Sequence, residues 1–181
     1  KLVFEKNSSV KFIIGGDGED RKHLENLTAS LGVSKNVFFL GWLDDPYELM
    51  SNVDISVLTS ISESFPYSIL EGAKFKKATV SSKVGGIPDL IDNGKNGYLF
   101  EPGDYQKLSK CILDLAENEA KRKNMGEMIF QKASTNFSLD SMCKKQLEIY
   151  KHIKERYKEE SESSFNYDVI ISGYYGFKNI G

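Results

Sequence analysis

Five short apolar runs, each separated from the next by an amphipathic segment or a glycine turn, restrict this chain to one broad architecture. It is α/β, a Rossmann-like parallel sheet flanked by helices. The first predicted strand is Val10-Lys11-Phe12-Ile13-Ile14, left through the turn Gly15-Gly16-Asp17-Gly18. From about Glu19 to Leu31 apolar residues recur at helical spacing, so a helix burying Leu24, Leu27 and Leu31 is expected. Asn36 to Leu40 is the second strand, ending at Gly41-Trp42, and Asp45-Pro46 opens a short helix through Met50, since proline suits a first helical turn. Asp54 to Thr59 is the third strand, followed by a serine-rich loop and a helix from Pro66 to about Phe75. Ala78 to Ser81 is the fourth strand, Ile87 to Ile91 a short helix, and Gly97 to Phe100 the fifth strand. A sheet of five or six parallel strands is the expectation.

After Pro102-Gly103-Asp104 the pattern turns wholly helical, over about Tyr105 to Glu117, Glu119 to Ser134 and Ser138 to Tyr157. The last carries a mostly apolar stripe, Leu139, Met142, Leu147, Ile149, Tyr150 and Ile153. Charged, serine-rich sequence follows, and Tyr167 to Gly173 reads as a fresh strand. The expected organisation is one domain over 1–157, a linker over 158–166 and the first strand and turn of a further domain over 167–181. Starting at Lys1 and stopping at a glycine in mid-motif, the chain reads as a piece of a longer protein.

The chain has 181 residues, 40% of them hydrophobic and 28% charged, which allows one ordinary domain with a sizeable core. A formal net charge of −2 gives no electrostatic case for a nucleic-acid partner. No apolar run reaches bilayer-spanning length, and the first residues carry no secretory pattern, so a cytoplasmic setting is expected. Cys111 and Cys143 stand far apart without Cys-x-x-Cys spacing and read as ordinary thiols. His23 and His152 are isolated on helical surfaces.

Two segments could carry chemistry. Gly16-Asp17-Gly18 after a strand suggests a dinucleotide-binding loop, but the third glycine of that fingerprint falls on Arg21, and the next strand ends at Gly41 where an acidic residue should meet a ribose. A tight turn, or backbone approach to a ligand at the carboxyl edge of the sheet, is what remains. The second segment is Ser62-Glu63-Ser64-Phe65-Pro66-Tyr67-Ser68-Ile69-Leu70-Glu71. It sets one carboxylate just before a helix and another about two turns in, with free backbone N–H groups between them that suit an anion. Two glutamates at this spacing can equally be solvated surface groups. Their context, at the open carboxyl ends of parallel strands, is where such folds bind ligands.

Ser62 through Asp104 resembles the C-terminal, nucleotide-sugar-binding half of the retaining glycosyltransferases of family 4, the group 1 type with the GT-B fold. The family's signature is a Glu, seven residues, a Glu, then a strand and Gly-Gly-x-x-(Glu or Asp). Here it reads Glu63, Ser64 to Leu70, Glu71, Ala78 to Ser81, and Gly85-Gly86-Ile87-Pro88-Asp89. Phe12 to Gly18, Val37 to Trp42, Asp92 to Phe100 and Phe137 to Tyr150 match other segments of the family, so the likeness covers about residues 10 to 157. It implies that Glu63 meets hydroxyls of the transferred sugar and is the group of catalytic consequence. Glu71 would meet the ribose hydroxyls, and Ser64, Phe65, Tyr67 and Ser68 would form the phosphate-facing edge, Pro66 having no donor. Leu40, Gly41 and Trp42 would border the base, and Gly16 and Gly18 would face a cleft toward an acceptor domain.

The resemblance further implies no metal or other cofactor, a nucleoside-diphosphate sugar donor, a glycan or lipid-linked acceptor, and an N-terminal acceptor domain upstream of Lys1. It also allows peripheral membrane association of the whole enzyme. The family's Arg and Lys that clamp the diphosphate would lie upstream too, leaving Lys74, Lys76 and Lys83 as nearby basic residues better read as surface groups. Lys76-Lys77-Ala78-Thr79 departs from the family's Gly and Pro there. The alternatives are a nucleotide-sugar epimerase on the same fold, for which the chain offers no further acid–base residue, and a noncatalytic nucleotide-sugar-binding module. Gly176-Phe177-Lys178-Asn179-Ile180-Gly181 resembles the opening turn of polysaccharide pyruvyltransferases, which would suit polysaccharide biosynthesis; any first strand with a glycine turn would also explain it.

Overall fold

The computed structural model describes residues 1–161. The described part divides into two units, Lys1–Ser138 and the segment from Leu139. The first unit alternates strand and helix as the apolar pattern requires: β1 (Phe12–Gly15), α1 (Arg21–Ser30), β2 (Val37–Gly41), α2 (Pro46–Asn52), β3 (Ile55–Leu58), α3 (Tyr67–Lys74), β4 (Ala78–Ser82), α4 (Ile87–Leu90) and β5 (Tyr98–Phe100). Helices α5 (Tyr105–Glu117) and α6 (Glu119–Asn136) close it. Side-chain caps fix several helix starts. Asp45 accepts from the Tyr47 N–H at 2.8 Å, Asp104 from Lys107 at 2.8 Å and Asn118 from Lys121 at 2.9 Å, each satisfying an orphan first-turn donor.

Every strand pairing is parallel, but the strands form two hydrogen-bonded sets, β1–β2 and β3–β4–β5, instead of one continuous sheet. β4 is central to the larger set and buried along its whole length. Its alternation sends Ala78 and Val80 into one core, with Phe100, Cys111, Ile112, Leu115 and Met125. A second core gathers Ile69, Ala73, Ile87, Leu90, Ile91, Leu99 and Ile129. Small residues let α6 approach closely: a methyl group on Gly126 would overlap the Lys76 carbonyl oxygen. The turn after α4 is tied by the buried Asn96, whose Oδ1 accepts from the Asp92 N–H at 2.7 Å and whose Nδ2 donates to the Leu90 carbonyl at 3.0 Å.

Two expectations fail here. A cleft of about 460 Å³ separates the edges of β1 and β3, lined by Val10, Phe12 and Ile13 on one side and Asp54, Ile55 and Val57 on the other. The ladder breaks at that cleft, so the expected single sheet is absent among the described residues. The β1–β2 pair leaves apolar side chains of its own uncovered as well, Ile13, Ile14 and Phe38 being about 40% exposed. Leu24, Leu27 and Leu31 stay about 40% exposed, and α1 buries no residue.

The second unit is described through α7 (Leu139–Ser161), a 23-residue helix. It continues past Tyr157 into the stretch expected to be a linker. The pyruvyltransferase-like segment and the strand expected from Tyr167 lie outside the described residues. Among the described residues no helix is long and apolar enough to cross a membrane.

Candidate functional site

The loop leaving β3 is pinned from both sides. On its first side, the buried Ser82 at the end of β4 donates its hydroxyl to the Ser60 carbonyl oxygen at 2.6 Å. Ser60 in turn donates its own hydroxyl to Glu63 Oε1 at 2.7 Å. On the far side, the Gly86 N–H donates to the Ser64 carbonyl at 2.8 Å. Gly85 has φ +53°, and a methyl group there would overlap the Glu63 carbonyl oxygen. A methyl on Gly86 would come within 3.0 Å of the Ser64 oxygen and 2.8 Å of the Phe65 ring. The Gly-Gly pair, 22 positions beyond Glu63 by residue number, is therefore one wall of the same site. It must be glycine because the loop backbone lies directly on it.

Phe65 turns its ring inward to stack on Phe137, centroids 5.1 Å apart and planes 17° from parallel. Its side chain is structural, whatever its backbone meets. Pro66 stands at the start of α3 with φ −76° and ψ 124° and no side-chain cap. The first-turn N–H groups of Tyr67 and Ser68 have no intrahelical acceptor, which leaves donors and the positive end of the helix dipole at the mouth of the loop. Tyr67 is 71% exposed there. Glu71 lies one turn further, half-buried, and among the described residues no hydrogen bond or ion pair engages its carboxylate.

The three nearby lysines are committed elsewhere. Lys74 sits over the Tyr47 ring at 4.7 Å, Lys76 pairs with Glu127 at 2.8 Å, and Lys83 pairs with Glu101 at 3.6 Å. Among the described residues no group of three His, Cys, Asp or Glu stands where it could hold a metal ion.

A second cluster occupies the ends of β1 and β2. The Gly16 N–H donates to the Gly41 carbonyl at 2.7 Å, and Gly16 and Gly41 both take positive φ, +119° and +75°. The space around Gly16 and Gly18 is open, which leaves their backbone free to be approached. Arg21, standing where a dinucleotide fingerprint would need glycine, folds back over the turn. It contacts Asp17 at 3.0 Å, Glu25 at 2.9 Å and the Phe39 carbonyl at 3.4 Å. Leu40 and Trp42 are 49% and 78% exposed beside it.

The structure thus brings Glu63, Ser64 and Phe65 together with Gly85 and Gly86, and Gly16 together with Gly41. Gly16, Gly18 and Leu40 to Trp42 lie at or just beyond the carboxyl ends of β1 and β2, Glu63 to Phe65 lie on the loop after β3, and Tyr67, Ser68 and Glu71 lie on α3. Sequence reasoning missed Ser60, Ser82 and Phe137. Ser60 was visible as a hydroxyl three residues before Glu63, but Ser82 needed the β3–β4 register, which sets Leu58 beside Ser81.

The comparisons make this parallel α/β unit the C-terminal half of a GT-B glycosyltransferase. The family model described as glycosyl transferases group 1 matches residues 1–132, and the chain belongs to that family. It is 31% identical over 150 residues to N-acetyl-alpha-D-glucosaminyl L-malate synthase of Bacillus anthracis, covering 83% of this chain and 39% of that protein. Anabaena HepE in complex with UDP superposes with a TM-score of 0.76 at 27% identity, over 83% of this chain and 43% of that one. Staphylococcus aureus TarM, solved as a point mutant with fondaparinux, alpha-GlcNAc-glycerol and UDP, gives 0.76 at 26% identity, over 82% and 30%. The chain spans less than half the length of each of these relatives.

Proposed function

We propose that this unit grips the nucleoside-diphosphate sugar donor of a retaining hexosyltransferase whose acceptor is a glycan or a lipid-linked sugar. The observation that carries the reading is the placement of two glutamates astride the start of α3: Glu63 on the clamped loop, Glu71 inside the helix with an uncommitted carboxylate. In this reading the donor lies across the helix start. Its diphosphate faces the N–H groups of Tyr67 and Ser68, its ribose hydroxyls donate to Glu71, and its sugar hydroxyls donate to Glu63. Ionised carboxylates are acceptors only, which suits both to hydroxyl recognition. Leu40, Gly41 and Trp42 border the base, and Gly16 and Gly18 face the acceptor side. UDP in the HepE and TarM structures supports a uridine nucleotide, and no metal is assigned to the site. The alpha linkage in the name of N-acetyl-alpha-D-glucosaminyl L-malate synthase and the alpha-GlcNAc-glycerol bound in the TarM structure support retention for a donor that is itself alpha-configured.

Calorimetric titration of the chain with UDP tests the reading. Wild type should bind, and Glu71→Ala should weaken binding at least about tenfold, as expected for losing hydrogen bonds to a charged group. Unchanged UDP affinity in Glu71→Ala would remove the ribose assignment.

A further inference from the structure

Glu63 is a long, flexible side chain on a loop, and a carboxylate that recognises particular hydroxyls must hold one orientation before the ligand arrives. We infer that Ser60 is the positioning residue for Glu63, with Ser82 as the anchor that ties it to the sheet. The inference rests on the donor-binding reading above.

Three observations carry it. Ser60 Oγ lies 2.7 Å from Glu63 Oε1, and an ionised carboxylate can only accept, so the hydroxyl proton of Ser60 must point at Glu63. One carboxylate oxygen is thereby occupied and the orientation of the group about its last bond is set, which leaves Oε2 for a ligand. Next, Ser60 is itself fixed: its carbonyl accepts from Ser82 Oγ at 2.6 Å, and Ser82 is fully buried at the end of the central strand. Finally, the main chain at Glu63 and Ser64 lies directly on Gly85 and Gly86 and accepts the Gly86 N–H, which holds the loop against the turn after β4. A continuous chain of bonds, Ser82 to Ser60 to Glu63, therefore runs from the buried core to the carboxylate.

This role separates from a purely structural one by what it changes. Positioning Glu63 affects the sugar and not the nucleotide. The readout is the sugar increment, the ratio of the UDP dissociation constant to that of the tighter of UDP-glucose and UDP-N-acetylglucosamine. It is measured by calorimetry on the 181-residue chain, with thermal melts alongside. Ser60→Ala should lower the increment roughly tenfold, as for one lost hydrogen bond to a charged group, while UDP affinity shifts less than about twofold. Ser60→Thr, which keeps the hydroxyl, should restore it. In Ser60→Ala/Glu63→Ala the increment should be no lower than in Glu63→Ala alone, because both remove the same contact.

An increment that falls in Glu63→Ala but not in Ser60→Ala overturns the relay and leaves the donor reading standing. UDP and sugar nucleotide weakening together in Ser60→Ala, with a lower melting temperature, also overturns it in favour of loop stabilisation. A wild-type chain with no increment, or one indifferent to Glu63→Ala, overturns the sugar role of Glu63 and the relay with it.

Discussion

The main-chain N–H of Gly86 donates a 2.8 Å hydrogen bond to the carbonyl oxygen of Ser64, which makes a two-glycine turn the floor under a glutamate-bearing loop. That contact explains why the two halves of the sequence signature belong together. The loop after β3 and the turn after β4 meet because their strands are parallel neighbours.

Gly85 should be the more sensitive of two positive-φ glycines. At Gly94 (φ +80°) the surrounding space is open, so Gly94→Ala carries only the backbone cost, about 1–2 kcal/mol. At Gly85 (φ +53°) the same change also drives a methyl into the Glu63 carbonyl, and about 3 kcal/mol or more is expected. Urea midpoints of the two variants give the comparison. Equal losses would mean that the loop yields easily.

Asn96 should behave as a buried polar staple. Asn96→Ala removes both of its bonds and strands the Asp92 N–H and the Leu90 carbonyl, which should cost about 2 kcal/mol in chemical denaturation. A loss below about 0.5 kcal/mol would show that water replaces the side chain at once.

Asp114 should contribute to acid sensitivity. Burial works to raise its carboxyl pKa, but hydrogen bonds from Lys121 at 2.7 Å and Tyr98 at 2.6 Å outweigh it and hold the group below its ordinary value. A depressed folded pKa stabilises the protein above the unfolded value, roughly pH 4, and that stability is lost as pH falls through the folded value. Asp114→Asn should therefore be less stable at neutral pH, with a shallower loss on acidification. Parallel stability–pH curves for the two proteins would contradict the ion-pair account.

The two thiols should separate cleanly. Cys111 is 4% exposed and burial pushes its pKa up, both of which slow thiolate chemistry, whereas Cys143 is exposed. Under native conditions one thiol should react quickly with Ellman's reagent and the other only in denaturant. A fast thiol that persists in Cys143→Ser would refute this.

Element order and type were legible from the chain because each depends on near neighbours. The run Ala78-Thr79-Val80-Ser81 became a strand, Asp45-Pro46 capped a helix, and Tyr105 to Glu117 formed a helix with the expected ends. The glutamate pair and Gly-Gly turn were legible as a pattern, since spacing survives in sequence. What α1 would bury was not: Leu24, Leu27 and Leu31 have helical spacing, but burying them needs a partner surface packed on that stripe, and none among the described residues covers it.

By itself, then, the sequence determined a parallel α/β unit with its candidate ligand groups at the strand ends, because periodicity and turn chemistry are local. Only the tertiary structure decided that the strands part between β1 and β3, that Phe65 faces Phe137, and that Ser82 reaches Ser60. Those contacts join residues 22 or more positions apart, and which such residues meet is settled by strand register and packing rather than by any local preference.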